Sequence, residues 1–215
     1  MKKIAVVLSG SGVFDGSEIH EATLSLLAIA KNGCSYEIFA PDMEQHHVIN
    51  HLTGEVMAEK RNVLVESARI ARGKIKALKE FKAGDFDGLL FPGGFGAAKN
   101  LSDWAFNGPD AKVHEEVKAA ILSMIKANKP LGALCISPVL FIKVLGDVKV
   151  TLGSDKNDEE AVLAAGAQHV KTSHGETVVD KTYKLVTSPC YMLAATILHI
   201  EEGANNVVKE MLKLM

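Results

Sequence analysis

Three short stretches of this 215-residue chain hold residue types that could do chemistry, and each follows an apolar run. The sharpest is Pro130-Leu131-Gly132-Ala133-Leu134-Cys135-Ile136-Ser137-Pro138. A buried strand running straight into a cysteine and then a helix places the thiol on a tight turn. Small residues, here Ala133 and Ser137, suit the crowded positions two residues either side. The helix that follows points amide N–H groups and its positive dipole end at the sulfur, favouring thiolate over thiol. A small core cysteine is the competing reading, since free cysteines commonly sit in cores. The glycines of a strict Gly-x-nucleophile-x-Gly elbow are missing.

The second stretch, Phe91-Pro92-Gly93-Gly94-Phe95-Gly96-Ala97-Ala98-Lys99-Asn100, also follows a buried strand. Consecutive glycines let backbone amides face a bound anion or a developing oxyanion. A tight turn without chemistry is the alternative. The third, Ser9-Gly10-Ser11-Gly12-Val13-Phe14-Asp15-Gly16-Ser17-Glu18, superficially resembles a dinucleotide fingerprint with Asp42 as ribose ligand. Its spacing is Gly-x-Gly-x-x-x-Gly, and a lone glycine pattern is weak. Glu18 opens a helix, where the dipole stabilises a carboxylate. It is also placed to meet a cysteine projecting from a neighbouring strand's end.

These turns need a scaffold, and apolar runs alternating with helical periods supply one. Ile4 to Leu8, Tyr36 to Ala40, Gly88 to Phe91 and Leu131 to Leu134 read as buried strands. Ser17 to Lys31, Asn62 to Arg72 and Asp110 to Asn128 read as helices, with Ile75 to Leu78 a short edge strand. After Cys135 comes a short helix ended by Gly146, then a strand Val148–Thr151 and a helix Asn157–Ala165. Thr177–Val179 and Lys184–Val186 pair as strands, and helices around Tyr191–Ile200 and Ala204–Leu214 close the chain. Residues 42–61 hold three of the eight histidines without a clean period, and read as a long loop with a short hairpin. Repeated β–α alternation with short connections implies a parallel sheet covered by helices on both sides, in one domain spanning 1–215.

Composition narrows the function classes. Lys plus Arg total 24 against 26 Asp plus Glu, a net charge of −2 that gives no electrostatic reason to expect nucleic acid or an anionic membrane. With 47% hydrophobic and 23% charged residues the chain reads as globular. Cys34, Cys135 and Cys190 show no CxxC spacing, which argues against a disulfide framework or zinc ribbon; Cys34 and Cys190 read as structural. The N-terminal apolar run is too short for a signal core, and no stretch approaches a membrane span, so a cytoplasmic protein is expected.

At these motifs the chain resembles the PfpI-type superfamily of class I glutamine amidotransferase-like proteins, and more closely the ElbB-type proteins linked to isoprenoid biosynthesis and described as glyoxalases. The resemblance rests on SGSGVFDGSEIHEA (9–22), HVINHLTGE (47–55), RNVLVESARIARG (61–73), FPGGFGAAKN (91–100), PLGALCISP (130–138) and VTSPCYMLA (186–194). It implies a flavodoxin-like three-layer sandwich with a mostly parallel central sheet, and a homodimer. It also implies Cys135 as nucleophile, Glu18 as its acid/base partner, and the amides of Gly94 and Ile136 as an oxyanion hole. Many relatives carry histidine directly after the cysteine; Ile136 removes that Cys–His pair here.

His51 is read as a substrate-pocket residue, with Gly12 and Asn100; a histidine packing a long loop is the alternative. His174-x-Glu176 superficially resembles the His-x-Glu of glutamine amidotransferases but reads as loop. The expected activity is a glyoxalase needing neither cofactor, metal nor glutathione. It would convert small 2-oxoaldehydes to 2-hydroxy acids through a Cys135 hemithioacetal and also act on early glycation adducts. Two alternatives stand beside it: a redox sensor using an oxidisable Cys135 without turnover, and a glutaminase remnant, which needs a histidine within reach of Cys135.

Overall fold

Along the first strand, Ile4, Val6 and Leu8 face one hydrophobic layer, while Ala5 and Val7 face another. Apolar residues at both phases of a two-residue period are what a strand requires when helices cover both faces of its sheet. The computed structural model describes residues 1–215 and extends this arrangement across seven strands. In chain order the elements begin β1 (Lys3–Val7), α1 (Ile19–Lys31), β2 (Ser35–Ala40), α2 (Val63–Ile70), β3 (Ile75–Ala77), β4 (Gly88–Phe91) and α3 (Phe95–Lys99). The middle holds α4 (Trp104–Asn107), α5 (Glu115–Lys126), β5 (Leu131–Leu134), α6 (Pro138–Leu145) and β6 (Lys149–Val150). The chain closes with α7 (Lys156–Ala164), β7 (Gln168–His169), β8 (Val178–Asp180), β9 (Leu185–Ser188) and α8 (Ile197–Lys213).

The sheet order is β3-β2-β1-β4-β5-β9-β8. Every neighbouring pair is parallel except β8, which runs antiparallel to β9. On one face, Ala22, Ala28 and Ile29 of α1 and Ile200, Ala204, Val207, Val208 and Met211 of α8 bury Ile4, Val6, Leu90, Leu134 and Val186. On the other, Val117, Ile121 and Met124 of α5 and Val139 to Ile142 of α6 cover Ala5, Val7, Leu89, Phe91, Leu131 and Ala133. This is the expected three-layer α/β sandwich with a mostly parallel central sheet. Gly132 lets α8 approach closely, since a β-carbon there would lie 2.6 Å from Met211 Sδ.

Two expectations need correction. Val148–Thr151 does not join the main sheet: Lys149–Val150 pairs in parallel with Gln168–His169 in a separate two-stranded sheet. After β9 the chain closes with a single-turn 3-10 helix, Cys190–Met192, and one continuous α8 rather than two helices. Gly203, which falls between the two expected helices, does not break α8. A β-carbon there would lie 2.9 Å from Ser188 Oγ and 3.1 Å from Cys190 Sγ, so this glycine serves close packing. Residues 42–61 form the expected loop, with a bridge between Ile49 and Val56 marking its short hairpin.

Strand order positions the site. β1, β4, β5 and β9 are consecutive in the sheet, so the segments leaving their carboxyl ends lie side by side, at the edge where open α/β sheets gather functional groups.

Candidate active site

Cys135 directly follows β5 and adopts φ +57°, a left-handed conformation that residues with a β-carbon rarely take. Its N–H donates to Ser188 O, continuing the β5–β9 ladder by one bond, while Ser137 Oγ donates to Pro92 O at 2.6 Å. These ties hold the elbow on one side to β9 and on the other to the glycine turn after β4. The Ser137 hydroxyl, fully buried, accounts for a small polar residue two positions past the cysteine.

The glycine turn closes over the sulfur. A β-carbon on Gly93 would lie 2.5 Å from Glu21 Oε2, 3.0 Å from Cys135 Sγ and closer still to Cys135 Cβ. Gly94, at φ +100°, has an amide that favours the ionised form of the Cys135 sulfur. The Ile136 N–H, one residue past Cys135, has no acceptor within the protein. Neither amide belongs to the sheet ladder, so both are free to serve an oxygen bonded to a carbon on Sγ.

The carboxyl beside Cys135 is that of Glu21, on the first turn of α1, and not Glu18 as expected: Glu21 Oε2 and Cys135 Sγ both lie against Gly93. Glu18 is the N-cap: its Oε2 accepts from Glu21 N at 2.6 Å, and its own N–H donates to Gly93 O. The difference is geometric. The cap residue's carboxylate turns back onto the helix's own amides, whereas residue 21, three positions on, projects into the sheet edge. Glu21 is fully buried, with Oε2 accepting from Gly93 N at 2.9 Å and Oε1 from Tyr191 N at 3.2 Å. No separate sequence signal marked it, although it lies within the quoted 9–22 stretch.

Electrostatics also differ from expectation. Burial pushes the Glu21 carboxyl up to about 8, and the charge of Glu18 adds to this; the Tyr191 amide, the Cys135 thiol and the Gly93 amide pull it down. Burial pushes the Cys135 thiol up as well, followed by the charges of Glu21 and Cys190, against the Gly94 amide. Burial therefore works against the ionised sulfur that dipole reasoning predicts. Only 7% of Cys135 is exposed, and desolvation outweighs the helix end.

Cys190, expected to be structural, belongs to this neighbourhood. It is buried at φ +42°, and burial followed by the charge of Glu21 raises its thiol. Cys34 lies apart, its Sγ pointing to Asn32 O.

The three expected pocket residues form a packing unit. Gly12 has the His51 ring directly over it; a β-carbon there would lie 2.6 Å from Nε2. His51 accepts from Phe14 N through Nε2 at 3.2 Å, donates from Nδ1 to Ile49 O at 3.0 Å, and stacks against Phe14. Asn100 is 4% exposed, with every amide contact internal: Nδ2 donates to Ser9 O and Asp15 O, and Oδ1 accepts from His46 N. Asn100 therefore pins the 9–18 loop to the 42–61 loop and has no free group for a ligand. His174, in the turn before β8, stacks on His199. The glycines of 10–16 also serve packing: Gly16 accepts from Gly96 N, and Gly12 donates to Ser17 O.

The three-layer α/β sandwich with its mostly parallel central sheet is the fold of amidotransferase-like proteins. No protein-family model matches the sequence. The chain is 46% identical over 222 residues to a rat protein named ES1 protein homolog, mitochondrial, covering 99% of this chain and 84% of that protein. It is 45% identical over 222 residues to human glutamine amidotransferase-like class 1 domain-containing protein 3, mitochondrial, covering 99% and 83%. The chain belongs to this ES1 family of glutamine amidotransferase-like class 1 proteins.

Among solved structures it matches an Ehrlichia chaffeensis isoprenoid biosynthesis protein with an amidotransferase-like domain, at 34% identity and TM-score 0.92 over 100% of this chain and 99% of that one. Candida albicans glyoxalase III shares the fold, at 14% identity and TM-score 0.62 over 100% and 97%. The cytoplasmic expectation is overturned by the relatives, which are named mitochondrial. No helix is long and apolar enough to cross a membrane.

Proposed function

We propose that this protein is an ElbB-type, glutathione-independent glyoxalase acting on small 2-oxoaldehydes, with Cys135 as nucleophile and Glu21 as its acid/base partner. The observation that carries this reading is the buried Glu21 carboxyl lying with the Cys135 thiol against Gly93, at a strained elbow. The fold shared with a glyoxalase III and the match to an isoprenoid biosynthesis protein support it further.

Ionised Glu21 takes the thiol proton as sulfur attacks the aldehyde carbon, and the carbonyl oxygen gains a negative charge facing the Gly94 and Ile136 amides. Glu21 passes the thiol proton on to that oxygen, which gives the hemithioacetal and restores the carboxylate. Glu21 then removes the C1 hydrogen as a proton, and the electron pair moves onto the neighbouring keto group as an enediolate. Return of the proton to C2 leaves a 2-hydroxy thioester; C1 has been oxidised and C2 reduced, with no external electron acceptor. Water releases the acid and restores the thiol.

A carboxyl near 8 suits this exchange, because both its forms are populated close to neutral pH. A glutaminase-type dyad would need an imidazole on Cys135. His51 and His174 make their ring contacts elsewhere, and residue 136 is isoleucine. The test is acid formation from methylglyoxal by purified parent protein, Cys135→Ser and Glu21→Gln. Loss in both variants is the expected result. Turnover unchanged in both, or absent from the parent, overturns the reading.

A further inference from the structure

One strained residue near the elbow is not used in the chemistry above. Cys190 carries a β-carbon at φ +42°, and the residue after it, Tyr191, is tied down twice. The Tyr191 backbone N–H donates to Glu21 Oε1 at 3.2 Å, and its phenol oxygen is hydrogen-bonded to His20 Nδ1 at 2.8 Å. The two rings lie 6.0 Å apart, and the His20 side chain is half exposed at the mouth of the site. A left-handed residue persists only where its surroundings over-determine it. Two of those surroundings are the hydrogen bond from Tyr191 N–H to the Glu21 carboxyl and the hydrogen bond between the phenol and His20.

We infer that His20 and Tyr191 are positioning residues for Glu21: His20 anchors the Tyr191 phenol, and this holds the Cys190–Tyr191 peptide so that its N–H clamps one oxygen of the carboxyl facing Cys135. Gly93 N clamps the other oxygen at 2.9 Å. One clamp belongs to the rigid glycine turn, and the other depends on a side chain reaching the surface. Releasing the phenol lets residue 190 relax toward ordinary φ and turns the amide away.

The charged and titratable groups facing Glu21 are Glu18 from the start of its own helix, Cys135 after β5, and Cys190 and Tyr191 after β9; His20 lies 4.0 Å from Glu18 Oε1. The Tyr191 amide bond favours the ionised carboxyl, so its loss moves the titration of the Glu21–Cys135 pair upward.

The inference rests on the assignment of Glu21 as the partner of Cys135, and its test needs no aldehyde. Iodoacetamide alkylation of Cys135 is followed by peptide mass spectrometry from pH 5.5 to 9.5 in the parent, Tyr191→Phe, His20→Ala and His20→Asn. Tyr191→Phe and His20→Ala are expected to raise the midpoint by about half a pH unit or more, roughly a threefold slower reaction at neutral pH. His20→Asn, whose amide can replace Nδ1 as hydrogen-bond partner, keeps the parent midpoint. Midpoints unchanged in Tyr191→Phe and His20→Ala, or a uniform fall in rate with no change of midpoint, overturn the inference. Because His20 is exposed, its variants fold even where Tyr191→Phe does not. Shifted midpoints in a parent that forms no acid from methylglyoxal would remove the glyoxalase reading and leave this one standing.

Discussion

The Glu21 carboxyl and the Cys135 thiol meet at Gly93, where a β-carbon would lie 2.5 Å from Oε2 and 3.0 Å from Sγ. Burial disfavours a charge on either group, so proton transfer between them, rather than a permanently ionised sulfur, is the chemistry this contact supports.

Removing the acid should separate the two candidate carboxylates. Glu21→Gln is expected to lower acid formation from methylglyoxal by about 10²- to 10⁴-fold, the usual contribution of a positioned acid/base group. Glu18→Gln keeps an oxygen acceptor for the Glu21 N–H and should lose far less. The reverse ranking in steady-state kinetics would return the role to Glu18.

The pH profile follows from the same carboxyl. Glu21 must be ionised to take the thiol proton, so kcat/KM should rise with pH and level off above about 8. A rate that is flat between pH 6 and 9 would mean another base acts.

Stability should change in the opposite sense. The folded-state carboxyl, near 8, lies above its ordinary value of 4.5, so between those limits the native protein binds the proton and the unfolded chain does not. Stability is then fully present below the lower limit and falls as pH rises, by at most about 1.4 kcal/mol per unit from this group. Urea unfolding of parent and Glu21→Gln across this range should show the variant losing that slope.

Backbone strain at the elbow predicts an unusual order of substitutions. Cys135→Gly should be more stable than Cys135→Ala by about 1 kcal/mol, because glycine adopts φ +57° freely and alanine does not. Both should be inactive. Thermal unfolding with the alanine variant the more stable would show that the elbow relaxes.

Asn100, read from the sequence as a pocket residue, should behave as a structural pin. Asn100→Ala removes three hydrogen bonds, two of them buried, and is expected to cost about 2–4 kcal/mol in urea unfolding. KM for methylglyoxal should be unchanged in the folded fraction; a large rise in KM would place its amide on the substrate.

Much of the architecture was legible because it depends on periodicities that the chain itself carries. Gly88–Phe91 and Leu131–Leu134 form strands with the expected bounds, since continuous apolar runs ended by Pro or Cys leave few alternatives. The missed elements are short or at the chain's end. Lys149–Val150 pairs with a two-residue partner that shows no periodicity, and Gly203 supports close packing where a helix break was expected.

By itself the sequence determined that Cys135 ends a buried strand and that two glycine segments end others, because these are local properties of consecutive residues. Tertiary structure decided which acid meets the thiol. Glu18 and Glu21 stand three residues apart on one helix turn, and only the docking of α1 beside Gly93 and Tyr191 turns one carboxyl onto its own cap and the other onto the sulfur. The charge state of that sulfur was decided there too, since desolvation depends on what the rest of the chain lays over it.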